Sequence, residues 1–331
     1  MIKNTLKRFL LGILAVSLMI MIPTECIAEE FYSDESIDLL SDTDLEDLYL
    51  YSYSPQTGYL RRYKFTPSVA TSTDENAPLN FEEGESTYGI VGDDGRIPVR
   101  DVTVSPYSKI VKIRLIFNNE EGEPVSTSGT GVIIGPDLVL TAAHVVYNDY
   151  NFFDTCNIYT EYNSLSDYGE MCTAENYIIH KEYYESMDYR YDWAIIKTST
   201  DIGNRQGWMG FDFHANYLDF VNKVVEIAGF PAQIPAEYAN TAYVMYRARG
   251  AVFACPNKYQ IQSYIDTSSG QSGAPVFDQY QMVWAVHSLT AKNVYDDGTE
   301  EILYNKGVRI TPELYSLLLS EKEESLAEWN S

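Results

Sequence analysis

An all-β barrel or sandwich closed by one C-terminal helix is the fold this sequence predicts, and three observations predict it. Short apolar runs bounded by turn residues recur from Pro98 onward, at 110–117, 131–134, 138–141, 194–196, 221–227, 243–247, 261–264 and 282–287. Runs of this length with such punctuation read as strands. No internal repeat is present, which removes solenoids and propellers. Thr311, Pro312 and Glu313 give a hydroxyl cap followed by a proline in the first turn, the start of a helix over 311–328. The chain has 331 residues and is 45% hydrophobic, enough for one large or two modest domains.

The first residues set the compartment. Lys3, Lys7 and Arg8 form a basic start, an apolar run over 9–22 ends at Pro23, and Cys26 and Ala28 supply small residues at the positions a signal peptidase reads. Residues 1–28 are therefore expected to be a signal peptide and the protein to be secreted. The run is shorter than the ~20 residues of a bilayer span, which ranks a lone anchoring helix second. Residues 29–88 carry 14 acidic and 3 basic residues and are rich in Ser, Thr and Tyr. They read as an acidic propeptide, with a flexible extension of no regulatory role as the alternative. The formal charge of -25 argues against nucleic acid or an anionic membrane as partner, since both require a basic surface.

Signal removal leaves Cys156, Cys172 and Cys255, an odd number in a compartment that permits disulfides. Cys156 and Cys172 flank a short stretch that can form a hairpin and are expected to pair. Cys255 is then a free thiol acting as a small buried apolar group.

Four histidines exist, at 144, 180, 214 and 287. His144 is best placed for chemistry, because an apolar strand over 138–141 ends in Ala142 and Ala143, whose small side chains let the ring emerge. Ser272 is flanked by Gly270 and Gly273, and Gly270 can adopt the backbone angles that aim its N–H, with that of Ser272, at a developing oxyanion. Asp192 opens the apolar run Trp193 to Ile196, where a carboxylate is shielded from water and can orient His144. Asp188 and Asp154 are fallback choices. Each flank alone is weak, since a histidine after an apolar strand is more often structural; the order His, Asp, Ser with all three flanks is what carries the reading. His180 and His214 read as surface or packing residues. No paired ligands suggest a metal site, and no obligatory cofactor is expected.

The sequence resembles the glutamyl endopeptidases, the V8-like branch of the chymotrypsin-fold serine proteases. The resemblance runs from about Ile90 to Leu319 and rests on 90–96, Thr141 to His144, Tyr191 to Ala194, Ala228 to Pro231, Asp266 and Thr267 with Gly270 to Gly273, Ala285 to His287, and Asn305 to Thr311. It implies a chymotrypsin-like double β-barrel, with residues 89–200 carrying His144 and Asp192, residues 201–310 carrying Ser272, and a helix and tail over 311–331. It also implies cleavage of protein or peptide substrates after acidic residues, glutamate above all, by a monomer. Thr267 and His287 match the positions that recognise the substrate's glutamate, together with the freed α-amino group of the mature chain. A carboxylate entering a half-buried pocket needs such donors to replace lost water. Without the resemblance, His287 would read as a core histidine and Thr267 as a hydroxyl bonding a nearby turn. Counting back from Arg96 along the family pattern puts the mature N-terminus at Gly89; a cut after Glu85 would suit self-processing.

Two rivals remain at this level. Asp266 stands six residues before Ser272, where trypsin-like enzymes bind Lys or Arg. A protease-like barrel turned binding module is the second, and the presence of all three triad residues argues against it. The turn at 296–298 could hold calcium, but a solvated hairpin turn is favoured.

Overall fold

A computed structural model describes residues 45–67, 84–86, 89–118, 122–153, 155–240, 244–295 and 299–329. The expected signal peptide, Asp154 and the 296–298 turn lie outside them.

The N-terminal half begins with strands β1 (Leu48–Ser54) and β2 (Tyr59–Phe65), then β3 (Gly84–Ser86) and β4 (Ile97–Pro98). There follow β5 (Ile110–Asn118), β6 (Pro124–Ile133), β7 (Leu138–Thr141), the one-turn helix α1 (Ala143–Val146), a small hairpin of β8 (Tyr147–Asn148) and β9 (Asn151–Phe152), β10 (Thr155–Tyr159), β11 (Met171–His180), α2 (Lys181–Ser186) and β12 (Ala194–Thr198). The sheet runs β10-β5-β6-β7-β12-β11, and β10 also pairs with β11, closing a six-stranded antiparallel barrel. β1 and β2 extend the same sheet beyond β11.

The C-terminal half contains α3 (Ile202–Gln206), β13 (Gly210–Phe211), β14 (Val224–Gly229), β15 (Tyr246–Asn257), β16 (Gln260–Ser263), β17 (Pro275–Phe277), β18 (Met282–Val294), β19 (Glu300–Arg309) and α4 (Pro312–Trp329). Strands β18-β17-β14-β15-β16-β19 close through β18 and β19 into a second six-stranded barrel. This is the chymotrypsin-like double barrel with a C-terminal helix.

Alternation along β7 explains how the barrels meet. Val139 points into the first barrel with Ile113, Ile133 and Ile196, while Leu138 and Leu140 point outward into a cluster holding Phe230, Val286, Val308, Leu314 and Leu317. Both faces of β7 are buried, so its sequence reads as an uninterrupted apolar run. Truncating Leu140 to Ala would cost about 2–5 kcal/mol. The Thr311 hydroxyl accepts from Leu314 N–H and starts α4, as the cap motif predicts.

One expectation changes. Cys156 and Cys172 are free, buried thiols. The register of β10 on β11 sets Ile158, not Cys156, opposite Cys172, so the two sulfurs are diagonal neighbours, too far apart for a bridge without backbone movement. Burial pushes both thiols up to about 12. Cys255 is likewise a buried free thiol. In the acidic segment ahead of Gly89, residues 48–65 form a hairpin paired to β11, which the alternative of a loose extension does not describe.

Candidate active site

His144 sits in α1, directly after β7. Asp192 lies immediately before Trp193 and β12, and β12 pairs with β7 so that Ala194 faces Thr141. That register brings the two chain segments together where their strands end. Asp192 is fully buried, accepts from His144 N–H at 2.8 Å and lies 2.7 Å from His144 Nδ1. A hydroxyl the sequence reading missed, Ser288, donates to Oδ2, the carboxylate oxygen that also faces His144 Nδ1. Burial alone would raise the Asp192 carboxyl, but the charge and hydrogen bonds of His144, with the Ser288 hydroxyl, outweigh it and hold the carboxyl below the usual range. An ionised Asp192 can only accept, so His144 Nδ1 carries the proton and Nε2 is left as the basic nitrogen.

One fallback acid has other employment. Asp188 grips Arg190 through both oxygens, and Asp154 is outside the described residues.

Ser272 occupies a tight loop whose glycines are explained atom by atom. Gly270 has φ +91°, and a β-carbon there would lie 2.5 Å from the Phe230 carbonyl. Gly273 has φ +80°, and its β-carbon would collide with Thr141 Oγ1 and the Thr130 carbonyl. The Ser269 carbonyl accepts from Ala232 N–H at 2.6 Å. In a trans peptide the N–H points opposite to the carbonyl, so this bond turns the Gly270 N–H away from Ala232. Thr130 Oγ1 holds the Gly270 carbonyl at 2.8 Å, and Thr130 N–H holds that of Ser272 at 2.9 Å. The same β6 residues approach the histidine segment, since Gly129 leaves room only for the Val145 side chain and the Ser272 carbonyl.

β18 joins this loop to a second group of residues. Gly273 N–H donates to the His287 carbonyl and His287 N–H to the Ala274 carbonyl, each at 2.8 Å. The His287 ring is 1% exposed, and neither ring nitrogen completes a hydrogen bond among the described residues. Burial, aided by the charge of His144, pushes its pKa down to about 3 despite Asp192 and the Lys306 backbone. Nearby, Thr267 and Thr290 both donate to Asn305 Oδ1, while Asn305 Nδ2 donates to the carbonyls of Gly89 (2.7 Å) and Ile265 (2.8 Å). Gly89 and Thr267 exchange backbone hydrogen bonds at 3.3 and 3.1 Å. A side chain at Gly89 would strike Asn305 Oδ1 at 2.2 Å, so only glycine fits. Asn305 and Thr290 went unassigned in the sequence because amide and hydroxyl residues are common in strands; only the β18–β19 register marks them.

Asp266 is turned away from cation binding. Its two oxygens accept from Val91 N–H (2.8 Å) and Gly95 N–H (2.7 Å). Arg96, buried, forks onto Asp94 and reaches Gln271 Oε1, which also accepts from Ser268 N–H. The segment following Gly89 is thereby clamped beneath the nucleophile loop.

Of the lone histidines, His180 is buried against Tyr191 at 4.1 Å and caps α2, and His214 stacks on Trp284 at 4.4 Å. Both pack, as expected.

Two antiparallel barrels with a His–Asp pair and a glycine-flanked serine define the serine endopeptidases of the chymotrypsin-like class. Residues 106–304 match the trypsin family, and the chain belongs to it. It is 30% identical over 244 residues to the glutamyl endopeptidase of Bacillus licheniformis, covering 72% of this chain and 71% of that protein. It is 28% identical over 230 residues to an extracellular metalloprotease of Bacillus subtilis, covering 69% and 67%. Among the described residues no group of three or more His, Cys, Asp or Glu side chains is placed to hold a metal ion. Among solved structures, a Glu endopeptidase in complex with MPD superposes with a TM-score of 0.55 and 26% identity, covering 71% of this chain and 99% of that one.

Proposed function

We propose that this endopeptidase is a secreted glutamyl endopeptidase, made as a precursor and matured by a cut ahead of Gly89. The observation that carries the specificity is His287: a buried imidazole without a partner on either nitrogen among the described residues, next in sequence to Ser288, which bonds Asp192. Leaving it so is costly unless a substrate group completes it. A substrate glutamate supplies a carboxylate, to which His287 gives an N–H bond and toward which Thr267 turns its hydroxyl from Asn305 Oδ1.

In the mechanism, Ser272 attacks the peptide carbonyl, and His144 Nε2 takes the hydroxyl proton and returns it to the leaving amine. Asp192 orients His144, and the Gly270 and Ser272 N–H groups hold the oxyanion. Water then releases the acyl-enzyme by the same route.

Maturation fits the same site. Gly89 N–H already bonds the Thr267 carbonyl in the uncut chain. A cut before Gly89 turns that amide into an ammonium with an ordinary pKa of roughly 7.7–8.0, adding positive charge where a glutamate would bind. Residues of β3 pair antiparallel with Thr290, Ala291 and Lys292. Because β19 takes one edge of those residues, β3 takes the other. That edge continues from the nucleophile loop's pairing at His287, so an extended substrate lying along it must displace β3. The uncut chain is therefore quiet.

The trypsin-like alternative gains no support, since both Asp266 oxygens are committed to backbone N–H groups. The test is N-terminal sequencing of the secreted form joined to a peptide-library profile of its cleavages. A new N-terminus at Gly89 and preference for Glu are expected; faster cleavage after Lys would sink the reading.

A further inference from the structure

We propose that the β1–β2 hairpin, although it lies ahead of Gly89, is a permanent piece of the N-terminal barrel and stays bound to it without a covalent link after the connecting chain is cut. The edge of β11 explains why. β11 pairs with β10 only through Met171, Cys172 and Thr173, and with β12 along its other edge. From Tyr177 to His180 the first edge would present bare N–H and C=O groups. β1 covers it in register, Tyr53 on Tyr177, Ser52 on Ile178, Tyr51 on Ile179 and Leu50 on His180.

Side chains reinforce the pairing on both faces. Leu48 and Leu50 are buried in the cluster between the barrels, with Tyr63 and Phe65 of β2 packed on it. On the other face Tyr51 stacks on Tyr184 at 3.9 Å and Tyr53 on Phe152 at 4.4 Å. Ser52 Oγ donates to Asn176 at 2.9 Å, and Tyr51 OH to Glu185 at 3.0 Å. Loss of the hairpin would open two leucines' worth of core as well as a strand edge. It would also uncover His180, whose ring supports Tyr191 next to Asp192. A segment that must depart to free a substrate cleft has no need of such burial; the contact that blocks the substrate edge is made by β3, further along the chain. The mature enzyme is thus a two-chain complex of a short N-terminal hairpin and the protease body.

This rests on the proposed maturation only for where the natural cut falls, and the test supplies a cut by other means. In full-length protein carrying Ser272→Ala, a recognition sequence for an unrelated site-specific protease replaces residues 71–76. After complete cleavage, gel filtration followed by denaturing electrophoresis should find the N-terminal fragment in the same fraction as the body at one to one, and hydrogen exchange at residues 177–180 should match the uncut protein. A fragment eluting by itself, with faster exchange at 177–180, overturns the proposal. Leu50→Asp in the severed protein should release the fragment at least ten-fold more readily on dilution, whereas Leu60→Asp, on the exposed strand β2, should leave retention unchanged. Equal release by the two overturns it as well. Should Leu50→Asp fail to fold, Tyr53→Ala is read in the same way. Cleavage specificity plays no part in these readouts, so loss of the glutamyl reading would leave them intact.

Discussion

Asp192 and His287 are both almost wholly buried, yet the carboxylate of one is saturated with hydrogen bonds while neither ring nitrogen of the other completes one among the described residues. Asp192 is met by the His144 backbone, the His144 ring and Ser288. His287 keeps both ring nitrogens open and is held neutral by burial. The catalytic dyad is therefore organised before any substrate arrives, while the pocket wall is left polar and incomplete. Preorganisation lowers the reorganisation cost of the reaction; in the proposed glutamyl reading, incompleteness leaves the partner of the His287 ring to be an anion of the substrate.

The contrast breaks most visibly at the nucleophile. Ser272→Ala should lower kcat on a glutamyl peptide by roughly 10⁶-fold, with labelling by a fluorophosphonate abolished. Asp192→Asn keeps the shape of the saturated site but removes the acceptor that sets the His144 tautomer. A fall of about 10⁴-fold in kcat is expected, with KM little changed. Activity near that of the parent enzyme would show that His144 is oriented by something else.

The pocket side separates differently. His287→Ala should reduce kcat/KM for glutamyl peptides by roughly 100-fold, in keeping with truncation of one partner of a buried charged hydrogen bond, while Ser272 acylation by a generic probe changes much less. Equal losses would make His287 structural and erase the contrast. Thr267→Val, which removes one hydroxyl and its bond to Asn305, should cost about ten-fold in the same assay.

The smallest effect concerns stability. His287 and His180 are pushed down to about 3 and about 4, chiefly by burial. The unfolded chain, with histidines near 6.5, binds more protons below that pH than the folded one does. Stability from both groups is present above about pH 6.5 and is lost as pH falls toward 4 and then 3. Replacing His180 with Asn, which retains a cap for α2, should move the acid-unfolding midpoint to lower pH, read by circular dichroism. An unchanged midpoint would mean that the carboxylates alone govern acid unfolding.

Much of the site was legible because its parts are local. Thr141 to His144 and Gly270 to Gly273 announce themselves through small residues that only a crowded turn requires, and the glycine collisions with Thr141 and Phe230 supply the reason. β7 and the first half of β18 were legible as strands for a similar reason: burial on both faces writes an unbroken apolar run. β11 was not, because only Cys172 and Ala174 are buried in its first half, Met171 to Asn176, and the other residues there are polar or exposed, so its strand character comes from its neighbours. The expected Cys156–Cys172 bridge failed on register, which spacing along the chain does not encode.

By itself the sequence determined the fold class and the compositional break near Gly89, and pointed to the proposed triad of His144, Asp192 and Ser272, since each follows from short-range pattern and side-chain chemistry. Only the tertiary structure decided that Asp266 serves the backbone of 91–95, that Asn305, Thr290 and Ser288 complete the site, and that residues 48–65 belong to the barrel. Those contacts join positions from 15 to more than 200 residues apart. They exist because strand pairing sets which distant side chains share one face, and no local pattern in the sequence carries that register.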